Sequence, residues 1–450
     1  LIFVVRLCKG SYNSNLKFEI TKDVIMGSHA PQSHFSRLDD IPLDSHYALR
    51  EEFAADPVPT KVILGSGIYR DEHGKPWVLP TVKELTYRMV IFQAEELVQL
   101  SEDSGRYDYL PISGYKPFYI AARQLLFGSL ATAKDRFVSM QTIAGTGANS
   151  LGARFLSESL RPSAVWLSNP SWVNHENIWT TAGVNVKLYP YWNAQKKALD
   201  FEDMLHTLTK EAHPGDAIVL HGCAHNPTGL DPTKDQWEKI ADLCESKGLF
   251  PFFDCAYQGF ASGNLDEDAW ALRHFASRDS LELAVAQSFS KNMGLYGERV
   301  GALHFLTASP EAASKVKGHL VRLQRGQISQ PAKRGATIAA TILTNETLFT
   351  RWLDDLYVMS SRIKEMRKAL YDELISLETP GNWDHLLTQI GMFSYTGLDS
   401  NQASDMRDSH VYILISGRIS VPGLNNTNVK RVAQAIDKAA RVNPIQQLHQ

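Results

Sequence analysis

The sequence predicts an α/β protein organised around one large, mostly parallel sheet, and three observations predict it. Seven short apolar runs recur through the middle of the chain. Helical spacing fills several of the gaps between them. The runs are apolar almost end to end rather than alternating, as strands covered on both faces are.

The runs are "RFVSMQTIA", "SAVWLSN", "NVKLYPY", "DAIVLHG", "LFPFFD", "LELAVAQS" and "VGALHFL". Between them, "PTKDQWEKIADLCESKG" has an amphipathic repeat and ends on glycine, the residue that leaves a helix most readily. From about Leu348 the pattern changes to one long helix, "LFTRWLDDLYVMSSRIKEMRKALYDELISL". A smaller α+β segment containing "HVYILIS" and a terminal helix comes after it, which reads as a second domain joined through that helix.

At 450 residues the chain exceeds one ordinary domain of about 100–200 residues. Hydrophobic residues make up 44% and charged residues 21%, the balance of a soluble globular protein with a large core. A formal net charge of -3 argues against nucleic acid or an anionic membrane as the main partner. The four cysteines, Cys8, Cys223, Cys244 and Cys255, show no paired spacing, which indicates a reducing compartment. No apolar run approaches the roughly 18 residues of a spanning helix. The opening "LIFVVRLCKG" lacks methionine and is too short for a signal-peptide core, whereas Met26 opens "MGSHAPQSHF". Residues before Met26 are therefore expected to be a short disordered extension. Without an Arg-rich, Ser-rich presequence the expected compartment is the cytoplasm, with the mitochondrion as the alternative.

In open α/β sheets ligands sit beyond the carboxyl ends of the strands, so the residues just past each apolar run matter most. After "SMQTIA" comes "GTGANSLG", a glycine-rich turn into a helix whose free N–H groups suit a phosphate. Trp172 succeeds "AVWLSNP", "HNPTG" succeeds "AIVLHGCA", Asp254 and Tyr257 succeed "LFPFF", and Ser288 and Lys291 succeed "LELAVAQ". A dinucleotide reading of the glycines needs an acid at the end of the next strand, where Ser168 and Asn169 stand. His221 and His225 straddle a strand end and are read as structural rather than metal-binding, and no metal is expected. Cys255 has nothing local to activate it and reads as a buried filler. Asp254 is costly to bury without a cation. A carboxylate needing a buried cation, an amine able to form an imine, an aromatic plate and a phosphate cradle together describe pyridoxal phosphate. A lysine desolvated among cations is also a better nucleophile and proton carrier.

The motif "SFSKNMGLYGERVG" closely resembles the cofactor-lysine signature of the aspartate aminotransferases, within the fold-type I pyridoxal-phosphate enzymes. The resemblance runs from about Ser33 to the C-terminal end through "VILGSGIYRDEHGKPWVLP", "YDYLPISG", "NPSWVNH", "HGCAHNPTG", "FFDCAYQGFASG", "GMFSYTGL" and "GRISVPGL". It implies an extension over 1–32, then an N-terminal arm and part of a small domain over 33–79. A large cofactor-binding domain over 80–347 and a linking helix with small domain over 348–450 complete the division. Lys291 would hold the cofactor as an imine and later shuttle a proton. Asp254 would keep the ring nitrogen protonated, Asn226 and Tyr257 would bond the phenolic oxygen, and Trp172 would stack on the ring. Gly145, Thr146, Ser288 and Arg299 would bind the phosphate, with Tyr109 reaching across from a partner subunit. Arg418 would clamp the substrate α-carboxylate in bidentate fashion, with a backbone contact from Gly67.

Substrate choice turns on Arg325 in "VRLQRGQISQP", which the resemblance assigns to the distal carboxylate of aspartate or glutamate bound in the partner's site. Sharing a pocket in this way implies an obligatory homodimer. The sequence departs from the family pattern at Ala144, Gly297 and Gln330, where serine and two asparagines are usual. The reaction implied is reversible transfer of the amino group of L-aspartate to 2-oxoglutarate, giving oxaloacetate and L-glutamate in a ping-pong cycle. The alternatives are an aromatic amino acid aminotransferase, a β-lyase or β-decarboxylase using the same cofactor, and a catalytically silent binding protein. Retention of Lys291, Asp254 and Arg418 together argues against the last.

Overall fold

The computed structural model describes residues 33–41, 43–99, 108–133 and 135–442. The extension expected over 1–32, with Cys8, lies outside the described residues. The chain divides into two compact units, Leu1–Asp44 and Ser45–Gln450. In the described part of the first, Ser36 and Leu38 donate back to the carbonyls of Ser33 and Phe35 at 3.1 and 3.0 Å, forming a turn.

The second unit holds the sheet. Its strands are β1 (Phe137–Ile143), β2 (Val165–Asn169), β3 (Val186–Pro190), β4 (Ala217–His221), β5 (Phe250–Cys255), β6 (Leu283–Ser288) and β7 (Val300–Leu306). Each of the seven apolar runs has become one of them. The order across the sheet is β1-β7-β6-β5-β4-β2-β3. β7 runs antiparallel to both β1 and β6, and the remaining pairs are parallel.

The near-continuous apolar character has the expected cause. β4, β6 and β7 are buried at every residue because apolar layers cover both faces of the sheet. Successive residues alternate between those layers: Phe252 packs with Val219, Ala284 and Phe305 on one face, while Phe253 packs with Leu220, Val285 and Leu306 on the other. The helix Lys234–Lys247 begins in a capping box of Thr233 and Gln236 and ends where Gly248 takes φ 65°, as its sequence predicts.

The long helix spans Glu346–Ser376, with Asn345 as its N-cap. Trp352 in its second turn donates to the carbonyl of Asn292 at 2.8 Å, which ties the helix to the loop that carries Lys291. The segment "HVYILIS" yields less strand than its composition suggests. Only Val411–Tyr412 pair, in parallel with Val62–Ile63, before the chain turns at Gly417 with φ 78°. Arg418–Ser420 then pairs antiparallel with Phe393–Tyr395. Among the described residues no helix is long and apolar enough to cross a membrane.

Gly301 shows how tightly this fold is drawn around one end of the sheet. It lies in β7 between Thr142 and Ser288, and a Cβ there would sit 2.4 Å from the carbonyl carbon of Ala144. Backbone, unlike a side-chain tip, cannot swing away. Gly301→Ala is therefore expected to cost about 1–3 kcal/mol and to weaken cofactor retention. Gly318→Ala, in an exposed helical position with open space around it, should gain about 0.5–1 kcal/mol. Thermal melts of both variants, with and without added cofactor, check the contrast.

Candidate active site

Six parallel strands end at the same edge of the sheet, and antiparallel β7 begins there. One cavity at that edge is lined by residues following β1 (Ala144, Gly145, Thr146), β2 (Trp172), β4 (Asn226, with His221 at its end), β5 (Tyr257, with Asp254 near its end) and β6 (Ser290 and Lys291, with Ser288 at its end). Arg299, just before β7, closes the lining.

The glycine-rich segment differs from expectation in one respect. The helix α1 (Ala144–Ser159) starts directly at the end of β1, so Gly145, Thr146 and Gly147 form its first turn rather than a turn ahead of it. The effect is more favourable for an anion, since first-turn N–H groups lack helical partners and carry the positive end of the helix dipole. Glycine at 145 leaves room for a close approach, since a Cβ there would lie 3.0 Å from the Cβ of Ser288. Ala144 and Arg299 both hold φ 52°, and Ala144 N–H donates to the Arg299 carbonyl at 3.0 Å. Left-handed backbone at two L-residues costs on the order of 1–2 kcal/mol each, and such strain concentrates at functional sites. Of the other departures, Gly297 has open space where a side chain would project, and Gln330 Oε1 accepts from Ser329 Oγ at 2.5 Å.

Asp254 is the carboxylate of the cavity. Its Oδ2 lies 2.9 Å from His175 Nε2 and accepts from Asn149 Nδ2 at 3.3 Å, while Oδ1 is buried without a partner. Burial pushes this carboxyl up, but the hydrogen bond from His175, with the charge of Lys291 nearby, outweighs it and holds the group below its ordinary value. Neither His175 nor Asn149 stands out in the sequence. His175 sits three residues after Trp172 in α2 (Val173–Thr181), and Asn149 four after Gly145 in α1, so helical spacing from two candidate residues is the available signal.

Lys291 Nζ stands 5.5 Å from the Tyr257 ring centre. Burial, reinforced by Arg299 and Arg418 against the opposing charge of Asp254, lowers its amine to about 8. Burial raises the Tyr257 phenol. His221 Nδ1 accepts from Asn226 N–H at 3.1 Å, and both ring nitrogens of His225 meet hydroxyls, Ser168 and Thr228, at 2.9 Å. Among the described residues no His, Cys, Asp and Glu group is arranged to hold a metal.

Arg418 adjoins the cavity through Asn226. It is buried, yet its partners are all neutral: Nη1 donates to Asn226 Oδ1 at 3.1 Å and Nη2 to Gly65 O at 2.7 Å, and the guanidinium lies 4.2 Å from the Phe393 ring centre. Its Nε is buried without a partner. Burial lowers it to about 10, so it remains a cation, with no carboxylate in salt-bridge range among the described residues. A buried cation with neutral partners and a spare donor is a receptor for an anion. Gly67 lies outside the cavity, beside the Phe393 ring. Tyr109 is 84% exposed, and Arg325 is exposed on the helix Pro310–Gln327, donating to Ser329 Oγ at 2.9 Å. The resemblance assigns both to a partner subunit's site, and in this chain neither lines the cavity.

The family described as aminotransferase class I and II matches residues 59–436. The chain belongs to this family. An Aspergillus ustus relative named L-tyrosine:2-oxoglutarate aminotransferase is 45% identical over 90% of this chain and 78% of its own length. A Schizosaccharomyces pombe relative named cytoplasmic aspartate aminotransferase is 44% identical over 91% of this chain and 99% of its own. The solved aspartate aminotransferase from the Saccharomyces cerevisiae cytoplasm superposes with a TM-score of 0.83 at 40% identity, covering 91% of this chain and 99% of that one. The chain is a transaminase of the fold-type I class, and its cofactor is pyridoxal phosphate. The donor set fits that cofactor: the unpartnered Asp254 Oδ1 awaits an N–H, the α1 first turn and Arg299 suit a phosphate, and Lys291 supplies an amine.

The lowered Lys291 amine has a pH signature. Below about pH 8 the folded, cofactor-free chain carries the full cost of holding that proton. Between there and the ordinary lysine value near 10.4, the unfolded chain binds a proton that the folded chain does not, so stability rises with pH. Cofactor-free Lys291→Met should therefore melt above the parent at pH 7, with the gap narrowing by pH 9.5. A gap that is constant with pH would show an unshifted lysine.

Proposed function

We infer that the chain is an aspartate aminotransferase, moving the amino group of L-aspartate to 2-oxoglutarate and giving oxaloacetate and L-glutamate. The observation that carries an amino-acid substrate is Arg418, a buried cation with neutral partners beside Asn226 of the cofactor cavity. When bound, pyridoxal phosphate supplies an electron sink for the substrate α-carbon and a temporary store for the amino group.

Asp254, kept ionised by His175, holds the proton on the ring nitrogen, and Asn226 and Tyr257 hold the phenolic oxygen. Trp172 covers one ring face. Gly145 and Thr146 in the α1 first turn bind the phosphate with Ser288 and Arg299. Lys291 Nζ would anchor the cofactor, and as a free amine it would take the proton from the substrate α-carbon and hold it for the return step. Its lowered basicity leaves enough free amine near neutral pH for that task. Arg418, aided by the backbone of Gly67, aligns the α-carboxylate.

A second copy of the chain supplies Tyr109 to the phosphate and Arg325 to the distal carboxylate, so the active form is a homodimer. The names of the relatives support the cytoplasm as the compartment. A second reading, with aromatic amino acids as donors, draws on the 45% identical relative named for L-tyrosine.

A half-reaction decides between these readings. Mixing the loaded enzyme separately with aspartate, glutamate, phenylalanine and alanine, without acceptor, should bleach the cofactor's visible band rapidly with the two dicarboxylates alone. Lys291→Ala should abolish the response. Equal rates with phenylalanine would move the chain to the aromatic class, and a spectrum unmoved by any amino acid would refute transamination. Arg325→Ala should raise KM for aspartate roughly 100-fold, as truncating one partner of a buried charge pair does, while phenylalanine turnover holds.

A further inference from the structure

The helix Ser45–Ala55 brings a residue with no assigned role to the substrate end of the site: His46 Nε2 lies 2.9 Å from Arg418 Nη2. We propose that His46 is a positioning residue for substrate recognition, locking the guanidinium of Arg418 in the orientation that receives the α-carboxylate. The proposal rests on the reading of Arg418 as the α-carboxylate clamp.

Donor bookkeeping on the guanidinium supports it. Nη2 has two hydrogens, and Gly65 O and His46 Nε2 take both. Nη1 spends one on Asn226 Oδ1. The donors left for a ligand are Nε–H, buried without a partner, and the second Nη1 hydrogen, which lie on different edges and so offer single contacts to a carboxylate rather than the bidentate fork the sequence suggests. The Phe393 face at 4.2 Å restrains the plane, but rotation within that plane is stopped by the acceptors. Because arginine cannot accept, His46 Nε2 is the acceptor and its ring proton sits on Nδ1.

The chemical type of that acceptor matters. A neutral imidazole steers the guanidinium without neutralising it, so the positive charge stays available to an anion. A carboxylate in the same place would form the ion pair itself and compete with substrate. His46 also lines a small cavity with Gly65, Ser66 and Gly67, which places it on the wall beside the backbone expected to touch substrate.

The α-carboxylate is common to every amino-acid donor, and this gives the test its signature. In the cofactor-loaded enzyme, His46→Ala should raise KM for aspartate and for phenylalanine by the same factor, about tenfold, with kcat within about twofold. The calorimetric Kd of succinate, which needs no turnover, should rise in parallel. His46→Gln, whose amide oxygen can accept from Nη2, should recover most of the loss, and His46→Glu should exceed the alanine variant. Alanine suits a helix, so the first variant is expected to fold. An unchanged or lowered KM in His46→Ala, an effect confined to aspartate, or a failure of glutamine to rescue overturns the proposal. Arg418→Ala run alongside separates the two levels. If it raises KM while His46→Ala does not, only the positioning role falls; if it leaves KM unchanged, the reading of Arg418 falls and takes this proposal with it.

Discussion

A carboxylate stranded at the end of an apolar strand sets the terms for the rest of this site. Asp254 follows Phe252 and Phe253, both wholly buried, and burial alone would push it toward the neutral acid. His175 and Asn149 offset that by bonding Oδ2, which ties α2 and α1 to the tip of β5. The other oxygen is left over. A buried carboxylate oxygen without a partner is costly by itself, and the same atom would stabilise a protonated ring nitrogen.

The remaining charges make sense as the complement of that choice. Three cations, Lys291, Arg299 and Arg418, share the region with one carboxylate, Asp254, so positive charge is in excess there. The burial, with the smaller repulsion from Arg299 and Arg418, that lowers Lys291 accords with a cavity suited to anions. In the proposed reading, phosphate would be drawn to the helix start and Arg299, and carboxylate to Arg418. The amine between them suits a proton carrier because burial, aided by Arg299 and Arg418 against Asp254, disfavours its charge. The backbone contributes too. The left-handed Ala144 and Arg299 lie one hydrogen bond apart, and Gly301 keeps that junction clear.

Much of this was legible in the chain because it is written locally. A strand covered on both faces must be apolar throughout, and that composition survives in the sequence without reference to its neighbours. The residues just past strand ends were legible for a related reason: connectivity alone places them at one edge. The partners that escaped are set by helical geometry or by distant folding. His175 and Asn149 become visible only when α2 and α1 are laid against β5. The glycines of "GTGA" read as a turn by composition, yet they are helical because α1 begins without any intervening residue. "HVYILIS" has the apolar, β-branched composition of a strand, yet its partner Val62–Ile63 offers only a two-residue ladder.

The sequence by itself determined the elements and the chemistry available: seven strands, a lysine, a carboxylate, an arginine and a helix start, each in a local pattern that physical chemistry can read. Only the tertiary structure decided which of their atoms are satisfied and which are left open. It left Asp254 Oδ1 and Arg418 Nε without partners and gave Arg418 Nη2 to His46, 372 positions away in the chain. Local periodicity carries information about burial, whereas hydrogen-bond pairing depends on distances that exist only after the chain has closed on itself.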